Sequence, residues 1–315
     1  MALLLTEQDV RDLASMEDAI GALESAHKSQ GAGRAVNDPR RRLRAPHGAV
    51  AIMPGGDAET GYLGFKTAFY AAGAVHVLLY DMNERKLAAI VQANWLGTLR
   101  TGAASGVATK YMARETEGQT VGIIGTGTQA RTQVTAVCAV RNVSRVLAYG
   151  RDENRRQAFA ESISERAGVP VELVDNGQAA GEADIVIAAT NASSPVLEGA
   201  WLKPGAHVNA IGSNSLLRRE LDMEAVTRAD AIVVDDREQT ALESGDLQEP
   251  IERGIVDLAR LPELGDVIAG GESVRRSDND ITLFESHGIG LWDVALATHV
   301  YRAAVAQERG NEVDI

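Results

Sequence analysis

The sequence predicts an α/β protein with a doubly wound parallel sheet, and two observations lead to this prediction. A short β-branched run, Val121–Ile124, is followed at once by Gly125-x-Gly127-x-x-Ala130 and a helix-compatible segment, which is the order of a dinucleotide-binding turn. Other short apolar runs then alternate with helix-length segments, as a parallel sheet requires. These further strands are predicted at Arg145–Tyr149, Ala183–Thr190, His207–Ile211 and, as the last one, Ala231–Asp235.

The glycine turn predicts where a dinucleotide binds. Gly125 allows the tight turn, Gly127 lets the backbone approach a pyrophosphate, and Ala130 keeps the helix close to the strand. Thr128 and Gln129 open the helix, whose positive N-terminus favours phosphates. A glycine-rich turn can also simply end a strand, but the alternation of strands and helices favours nucleotide binding.

Composition limits the classes of protein. A chain of 315 residues exceeds one comfortable core, so two domains are expected, and the 45% hydrophobic and 24% charged content is that of a soluble globular protein. The formal net charge of −13 argues against a nucleic-acid or anionic-membrane partner, since either needs a basic face. The apolar run Ala2–Leu5 is too short for a signal peptide, so a cytoplasmic location is expected. Cys138, the single cysteine, excludes an intrachain disulfide and is expected to pack within a helix.

A row of arginines precedes the nucleotide-binding region. The run 40–44 and the apolar run 49–53 are predicted to form a hairpin in which Arg40, Arg42 and Arg44 share one face. Such a cationic row is either a solvated face or, in an acidic chain, a binding site for an anionic ligand.

Lys66 lies inside an apolar strand, Leu63–Phe69. A lysine is rarely placed in such a run without a partner, so a functional role and a surface position are both open. A second hairpin is predicted at Val75–Tyr80 and Leu87–Val91. The N-terminal part is therefore expected to be a strand-rich platform.

A predicted helix, Trp95–Arg114, connects the platform to the glycine turn. Gly102 and Gly106 leave one side of it nearly bare, so that another backbone or a ligand can approach closely. Arg100 and Thr101 stand near its start, where a planar guanidinium suits a carboxylate.

The segment Leu99–Ser105, with Lys110-Tyr111, closely resembles the signature of the ornithine cyclodeaminase and mu-crystallin family. The resemblance covers nearly the whole chain. Its further blocks are the Pro-Arg hairpin, the strand lysine, the Gly-x-Gly-x-x-Ala turn and the segments 204–212, 219–222, 235–236, 243–246, 263–265 and 281–286. The family includes cyclodeaminases, alanine and arginine dehydrogenases, cyclic-ketimine reductases and a hormone-binding lens protein, so it fixes the chemistry better than the substrate.

The resemblance implies a homodimer of two-domain subunits. An α+β platform that binds substrate and forms the dimer contact would comprise residues 1–116, with residues 290–315 returning to it as a helix. A Rossmann domain would comprise residues 117–289. The amphipathic stretch Leu291–Val305 agrees with a returning helix.

The resemblance also implies residue roles. Arg100 would hold the substrate carboxylate and Lys66 would hydrogen-bond the substrate beside the reacting carbon; both are predicted catalytic residues, together with Asn214. Arg40 best matches a second substrate arginine, and Arg42, on the same strand face, is the alternative.

Two positions depart from the family pattern. Asn214 stands where cyclodeaminases and alanine dehydrogenases have an aspartate, and an amide cannot accept a proton from the substrate amine. Gly150 stands where an NAD enzyme has an acid on the ribose, and Arg151 beside it favours a 2′-phosphate. NADP is therefore the predicted preference over NAD, while Asp152 argues for the alternative.

Two histidines are candidates to replace the missing acid. His76 is a predicted substrate-side residue, and His287 lies where the family backbone meets the nicotinamide. The others, at positions 27, 47, 207 and 299, have no metal-ligand spacing, and no metal is expected. The predicted cofactor contacts are Thr101, Gly125, Gly127, Thr128, Gln129, Ala130, Gly150, Arg151, Thr190, Ser286, His287 and Gly288.

We therefore expect an NAD(P)-dependent oxidoreductase that moves hydride to or from the α-carbon of a small imino or amino acid. Reduction of a cyclic ketimine is favoured, because an iminium already carries its proton and tolerates Asn214. The alternatives are ornithine cyclodeamination, which yields proline and ammonia, and a cofactor-bound binding protein without turnover.

Overall fold

The computed structural model describes residues 1–69, 72–271 and 273–314, and the chain forms two compact units. Unit 1 comprises Met1–Arg100, Ile268–Gly270 and Gly288–Ile315, and unit 2 comprises Thr101–Val267 and Gly271–His287. The sequence predicted a platform domain of residues 1–116 with 290–315 and a Rossmann domain of residues 117–289. These domain limits stay a prediction, and expression of each fragment alone would test whether it folds independently.

The described residues contain these strands in chain order: β1 (Ala2–Leu5), β2 (Ala35–Asn37), β3 (Arg41–Ala45), β4 (Gly48–Asp57), β5 (Tyr62–Phe69), β6 (Ala74–Asp81), β7 (Lys86–Gln92), β8 (Gln119–Ile124), β9 (Val143–Tyr149), β10 (Val171–Leu173), β11 (Ile185–Ala188), β12 (His207–Ala210), β13 (Ala231–Val234), β14 (Thr282–Glu285) and β15 (Asn311–Val313). The α-helices are α1 (Glu7–Leu13), α2 (Met16–Gly31), α3 (Asn94–Met112), α4 (Thr128–Val140), α5 (Glu153–Ala167), α6 (Gly177–Gly181), α7 (Met223–Thr227), α8 (Arg237–Glu243), α9 (Gly245–Glu252), α10 (Leu264–Gly270) and α11 (Gly290–Ala306).

Unit 1 is built on a sheet in the order β15-β1-β7-β6-β5-β4-β2, with β3 paired to β4. Both predicted hairpins are formed, as the antiparallel pairs β3–β4 and β6–β7. Alternate residues of β5 are buried, and the helix α11 packs on β4, β5, β6 and α2. The expectation of an α+β platform completed by a C-terminal helix is confirmed.

Two glycines bring α11 directly onto the sheet. A Cβ atom at Gly55 would lie 2.5 Å from the backbone nitrogen of Leu291, and one at Gly290 would lie 2.3 Å from the carbonyl oxygen of Pro54. Neither position has room for a side chain, so the first turn of α11 is fixed against β4 by backbone contact.

Unit 2 contains the predicted doubly wound sheet, with seven parallel strands in the order β10-β9-β8-β11-β12-β14-β13. The chain leaves β8 toward one edge and resumes at β11 toward the other, which makes the carboxyl ends of β8 and β11 the topological switch point. One expectation was wrong: Ala231–Val234 is not the last strand. The four-residue β14 follows it in the chain and pairs with β12 and β13.

Helix α3 begins in unit 1 and ends in unit 2, where it lies against α4. A Cβ atom at Gly102 would be 2.5 Å from the carbonyl oxygen of Thr132, so the bare side predicted for this helix receives another backbone. Gln133 also donates a 2.9 Å hydrogen bond to the carbonyl oxygen of Thr101.

Two further properties concern the described chain as a whole. Among residues 1–69, 72–271 and 273–314, no helix is both long enough and apolar enough to cross a bilayer. Burial raises the pKa of the Cys138 thiol to about 11, so this cysteine is a protonated packing residue at neutral pH.

Candidate active site

Three basic side chains that the sequence singled out are buried in unit 1. Arg40, Lys66 and Arg100 are 6%, 4% and 6% exposed. Lys66 lies on β5 and pairs with Met53 of β4, and Arg40 donates from Nε to the Met53 sulfur at 3.2 Å. The β3–β4–β5 register also places Arg42 on the sheet face of Lys66, as expected, but Arg42 is only half-buried.

A fully buried carboxylate, Asp293, lies between two of these cations. Its Oδ2 atom is 2.8 Å from the Lys66 ammonium nitrogen, and its Oδ1 atom accepts a 3.1 Å hydrogen bond from Arg100 Nε. Asp293 stands in the first turn of α11. One carboxylate is thus shared by two buried cations.

The Arg100 guanidinium lies beside Gly288. Gly288 has φ of +78°, and a Cβ atom there would lie 2.4 Å from Arg100 Nη1. The guanidinium carbon also lies 5.4 Å from the centroid of the Trp292 ring. Within the described residues, Nη1 is buried and has no hydrogen-bond acceptor. A buried guanidinium nitrogen without an acceptor is costly, so this atom favours an anionic ligand.

Arg40 completes this group, which we call the cation cluster (Arg40, Lys66, Arg100 and Asp293). Its Nη2 atom donates a 3.1 Å hydrogen bond to the carbonyl oxygen of Gly288. Because Arg40 is buried against the same glycine as Arg100, it fits the predicted second substrate arginine better than Arg42 does.

The environment of Lys66 makes its charge adjustable. Burial is the largest influence and lowers the pKa of its ammonium group to about 7, with Arg100 lowering it further and Asp293 opposing both. A lysine in this range exchanges a proton readily at neutral pH.

His76 is not brought to the cation cluster by the sheet. It pairs with Thr67 of β5, the residue after Lys66. Since successive strand residues point to opposite faces, His76 lies on the face opposite Lys66.

In unit 2, the glycine turn has the geometry expected for phosphate binding. Gly125 has φ of +108°, and a Cβ atom there would lie 2.3 Å from the carbonyl oxygen of Ala189. Gly127 is the N-cap of α4 without a side-chain cap, and a Cβ atom on it would meet nothing within 4 Å. The first amides of α4 therefore have no side-chain cap, and the space beside Gly127 is open. Thr128 is exposed, Gln129 is half-buried and Ala130 is buried. These residues fit a dinucleotide.

The packing at the end of β9 explains why position 150 has no acidic side chain that could bind the ribose of NAD. A Cβ atom at Gly150 would lie 2.8 Å from Thr126 Oγ1, so an acidic side chain there requires Thr126 to move. Asp152 is the N-cap of α5 and accepts a 2.9 Å hydrogen bond from the Arg155 amide. Arg151, in contrast, is exposed.

A buried glutamate, Glu220, joins the loops that follow β11 and β12. Its carboxylate accepts hydrogen bonds from the backbone amides of Thr190 at 2.6 Å and Gly212 at 2.7 Å. Asn214 follows two residues after Gly212 and is half-buried. Burial raises the pKa of Glu220 to about 7, although both amides act in the opposite direction.

Further carboxylates lie behind Glu220, and together they form what we call the carboxyl cluster (Glu220, Asp235, Asp246 and Glu285). Asp246 accepts 2.7 Å hydrogen bonds from the amides of Glu220 and Leu221, and Glu285 accepts one from Ser244 at 2.9 Å. Burial raises the pKa of Asp246, and burial together with Asp246 raises that of Glu285 well above its usual range.

The predicted segment Ser286-His287 is anchored to this cluster. Asp235 accepts hydrogen bonds from the Ser286 hydroxyl at 3.2 Å and the His287 amide at 2.8 Å. His287 Nδ1 lies 2.9 Å from the carbonyl oxygen of Ser213. His287 is thus the histidine that the fold places next to the segment carrying Asn214.

Two of the remaining histidines, His27 and His207, are buried and have structural partners. His27 accepts a 2.8 Å hydrogen bond from Trp292 Nε1, and burial lowers its pKa to about 4. His207 pairs with the Thr282 hydroxyl at 2.9 Å, and burial, followed by Arg275 and Arg141, lowers its pKa to about 3. Among the residues described, no group of three or more His, Cys, Asp or Glu side chains is arranged so that it could hold a metal ion.

Sequence reasoning missed Asp293 and the carboxyl cluster. A signal for Asp293 was present, since it is the one acid of a helix whose first turns, from Gly290 to Ala297, are otherwise free of charged and polar side chains apart from the Trp292 indole. The carboxyl cluster gave a weaker signal: its members lie in segments that resembled the family, but their grouping depends on strand order.

Comparison with known proteins decides the family. The model of the ornithine cyclodeaminase/mu-crystallin family matches residues 1–308. The chain belongs to the ornithine cyclodeaminase/mu-crystallin family. It is 34% identical over 325 aligned residues to the Δ1-pyrroline-2-carboxylate reductase of Bacillus cereus, and the alignment covers 99% of each chain.

Solved structures of this family agree with the fold. The Δ1-pyrroline-2-carboxylate reductase of Thermococcus litoralis, in complex with NADH and L-proline, superposes with a TM-score of 0.92 at 34% identity over 99% of this chain and 100% of that one. An archaeal alanine dehydrogenase dimer with bound NAD gives 0.91 at 31% identity over 99% of each chain. These relatives confirm the predicted class, an NAD(P)-dependent oxidoreductase.

Proposed function

We propose that this chain reduces a cyclic imino acid of the Δ1-pyrroline-2-carboxylate kind with a nicotinamide cofactor. The observation that carries the proposal is the buried arrangement in unit 1, where Lys66 and Arg100 share the single carboxylate of Asp293. The pair leaves one positive charge in excess, and Arg100 Nη1 lacks an acceptor within the described residues. A substrate carboxylate supplies both the charge and the acceptor.

The residues of the chain then have distinct tasks. Arg100 binds the substrate carboxylate. Arg40, which donates to the carbonyl oxygen of Gly288 beside Arg100, adds a second positive charge for that carboxylate. Lys66 donates a hydrogen bond to the substrate beside the reacting carbon. A bound dihydronicotinamide supplies the hydride, and the turn at Gly125 to Ala130 holds its phosphates. Asn214 serves as a neutral hydrogen-bonding group, since reduction of an imine does not require a carboxylate to remove a proton from a substrate ammonium.

The proposal is tested by following the oxidation of NADPH and NADH by their absorbance. Purified protein is incubated with five- and six-membered cyclic imino acids, with 2-oxo acids plus ammonia or methylamine, and with amino acids, each with NADPH and with NADH. We expect turnover with a cyclic imino acid and little ammonia from ornithine with catalytic NAD. Efficient conversion of ornithine to proline would replace the reductase proposal with cyclodeamination.

Two finer points belong to the same proposal. We expect a homodimer, supported by the dimer described for the archaeal alanine dehydrogenase, and sedimentation analysis tests it. A preference for NADP is supported by Gly150 and the exposed Arg151, whereas the two structural relatives above carry NADH and NAD. A cytoplasmic location also stays a prediction.

A further inference from the structure

Asp293 has no exposed surface, and no role for it is predicted from the sequence. A fully buried carboxylate is unfavourable unless it is paired. Each oxygen of Asp293 is paired with a different element: Oδ2 with Lys66 on β5 and Oδ1 with Arg100 on α3. Backbone contact at Gly55 and Gly290 fixes the helix turn that carries it.

We propose that Asp293 is a positioning residue of the imine-reducing site: it keeps the Lys66 ammonium charged and orients Arg100, so that Lys66 can deliver a proton to the imine nitrogen. This inference rests on the proposed function. It gives the chain a proton donor that does not depend on a carboxylate at position 214.

The charged groups around Lys66 support this role. Asp293 faces it from α11, Arg100 from α3, and Arg40 from the segment before β3. Its strand neighbours, Met53 on β4 and Val77 on β6, do not titrate. Asp293 is therefore the anion that offsets burial and two neighbouring guanidinium groups, and without it the neutral amine is strongly favoured.

The step balances in atoms and electrons. The carbon of the C=N bond receives hydride from the reduced nicotinamide, and the π electron pair moves to nitrogen. That nitrogen takes a proton from the Lys66 ammonium, which leaves a neutral amine on Lys66 and a secondary amine on the product. Water then returns a proton to Lys66. A pKa of about 7 lets Lys66 both give and regain the proton at neutral pH.

The test compares Asp293→Asn and Asp293→Glu with the wild type and with Asp57→Asn. Asp57 is a matched control, since it is also a buried acid of unit 1 but is bonded to Ser29 at 2.8 Å and to the Glu59 amide at 2.9 Å. The readout is kcat/KM and KM for a cyclic imino acid as a function of pH. In the wild type, kcat/KM falls as pH rises through about 7, because Lys66 loses its proton.

In Asp293→Asn this fall begins at least about one pH unit lower, so that kcat/KM at mildly alkaline pH is about tenfold below wild type. Asp293→Glu keeps the wild-type profile, and so does Asp57→Asn. An unchanged alkaline limb in Asp293→Asn overturns the inference. A loss that is equal at every pH, without a shifted profile, also overturns it, because that result assigns Asp293 a purely structural role.

A second measurement does not depend on turnover. Brief acetylation by acetic anhydride over a range of pH, read by peptide mass spectrometry, titrates the Lys66 amine directly, and its titration should move to lower pH in Asp293→Asn. If the wild type reduces no imine but this titration moves, the proposed function fails, while the control of the Lys66 charge by Asp293 stands. If turnover is found and the titration does not move, the inference alone fails.

Should Asp293→Asn not fold, the double variant Lys66→Met/Asp293→Asn decides. It removes one buried cation together with the buried anion, so the inference requires folding to return. Continued failure to fold would show that Asp293 is needed for packing alone.

Discussion

Arg100 is the residue whose role can be tested most directly. Its Nε donates to Asp293, its Nη1 lacks an acceptor within the described residues, and the absence of a side chain at Gly288 leaves room for the guanidinium. These contacts hold the guanidinium ready for a carboxylate before substrate arrives. Little side-chain entropy is then lost on binding.

Arg100→Ala should lower kcat/KM for the imino acid by roughly a hundredfold or more, because a buried charge pair with the substrate is lost. Cofactor affinity, measured by fluorescence titration, should change only a few-fold. Arg302→Ala is the control: Arg302 is exposed and donates to the Thr60 carbonyl oxygen at 2.8 Å. Equal losses of cofactor binding and turnover would contradict the assignment.

At this scale, the sequence predicted the cations better than their partner. Lys66 was found because a lysine in an apolar strand is unusual in itself, and Arg100 because its segment resembles the family signature. Arg100 was expected at the start of its helix, but α3 begins at Asn94, so Arg100 lies in the second turn. Asp293 was not found, because its meaning depends on β5, α3 and α11 meeting at one point. A pairing between residues more than 190 positions apart leaves no local pattern.

At the scale of elements, we expect the junction of β9 and α5 to govern the choice of cofactor. Gly150 cannot carry an acid unless Thr126 moves, and Asp152 is engaged as the cap of α5. Arg151 follows the tip of β9 directly and is exposed.

We therefore predict that the protein prefers NADP and that Arg151→Ala weakens NADPH binding about tenfold, since a charged hydrogen bond to a phosphate is lost. NADH binding should be unaffected. Calorimetric titration of both cofactors measures the difference. A wild-type preference of tenfold or more for NAD would refute the cofactor prediction.

Glu220 connects the loops after β11 and β12. Glu220→Gln places an amide nitrogen against one of the two backbone amides, Thr190 or Gly212, so two donors face each other. We expect weaker cofactor binding and a Tm lower by several degrees, as a loss of about 1 to 3 kcal/mol implies.

Glu224→Gln is the matched control for this change, because Glu224 is exposed on α7. Calorimetry of both variants checks the prediction. A Glu220→Gln protein with the Tm and cofactor affinity of Glu224→Gln would show that the carboxylate does not hold the loops.

The strands of the two sheets differ in how well the sequence predicts them. The strands β8, β9, β11, β12 and β13 were predicted because buried parallel strands are short, mainly apolar runs between helix-length segments. The short edge strands β10 and β15, and the four-residue interior strands β1 and β14, were not predicted because so few residues carry little periodicity. Their existence depends on the neighbour that each one pairs with.

For the whole molecule, buried histidines predict sensitivity to acid. The pKa values of His27 and His207 are lowered to about 4 and about 3, below the ordinary value near 6.5. Their contribution to stability is therefore present above about pH 6.5 and is lost as pH falls through those lowered values. The pKa of Glu220 is raised to about 7, so this residue acts in the opposite sense. Its contribution to folding stability is present below about pH 4.5 and is lost as the pH rises through about 7.

Urea unfolding between neutral pH and about pH 4 should show a loss of roughly 1 to 3 kcal/mol attributable to His27. His27→Gln should be less stable than wild type at neutral pH, because Trp292 loses its imidazole acceptor, but should depend less on acid. His47→Gln is the control, since His47 is exposed. Identical pH dependence in His27→Gln and wild type would refute the prediction.

The discontinuous course of unit 1 has a consequence for biosynthesis. Translation delivers Lys66 and Arg100 before all of unit 2 and delivers α11 only after it. On the ribosome, the doubly wound sheet can therefore close first, while the two cations still lack their carboxylate and the β4 to β6 face still lacks its covering helix. Maturation of the cation cluster is thus a late event, which begins when Asp293 emerges from the exit tunnel.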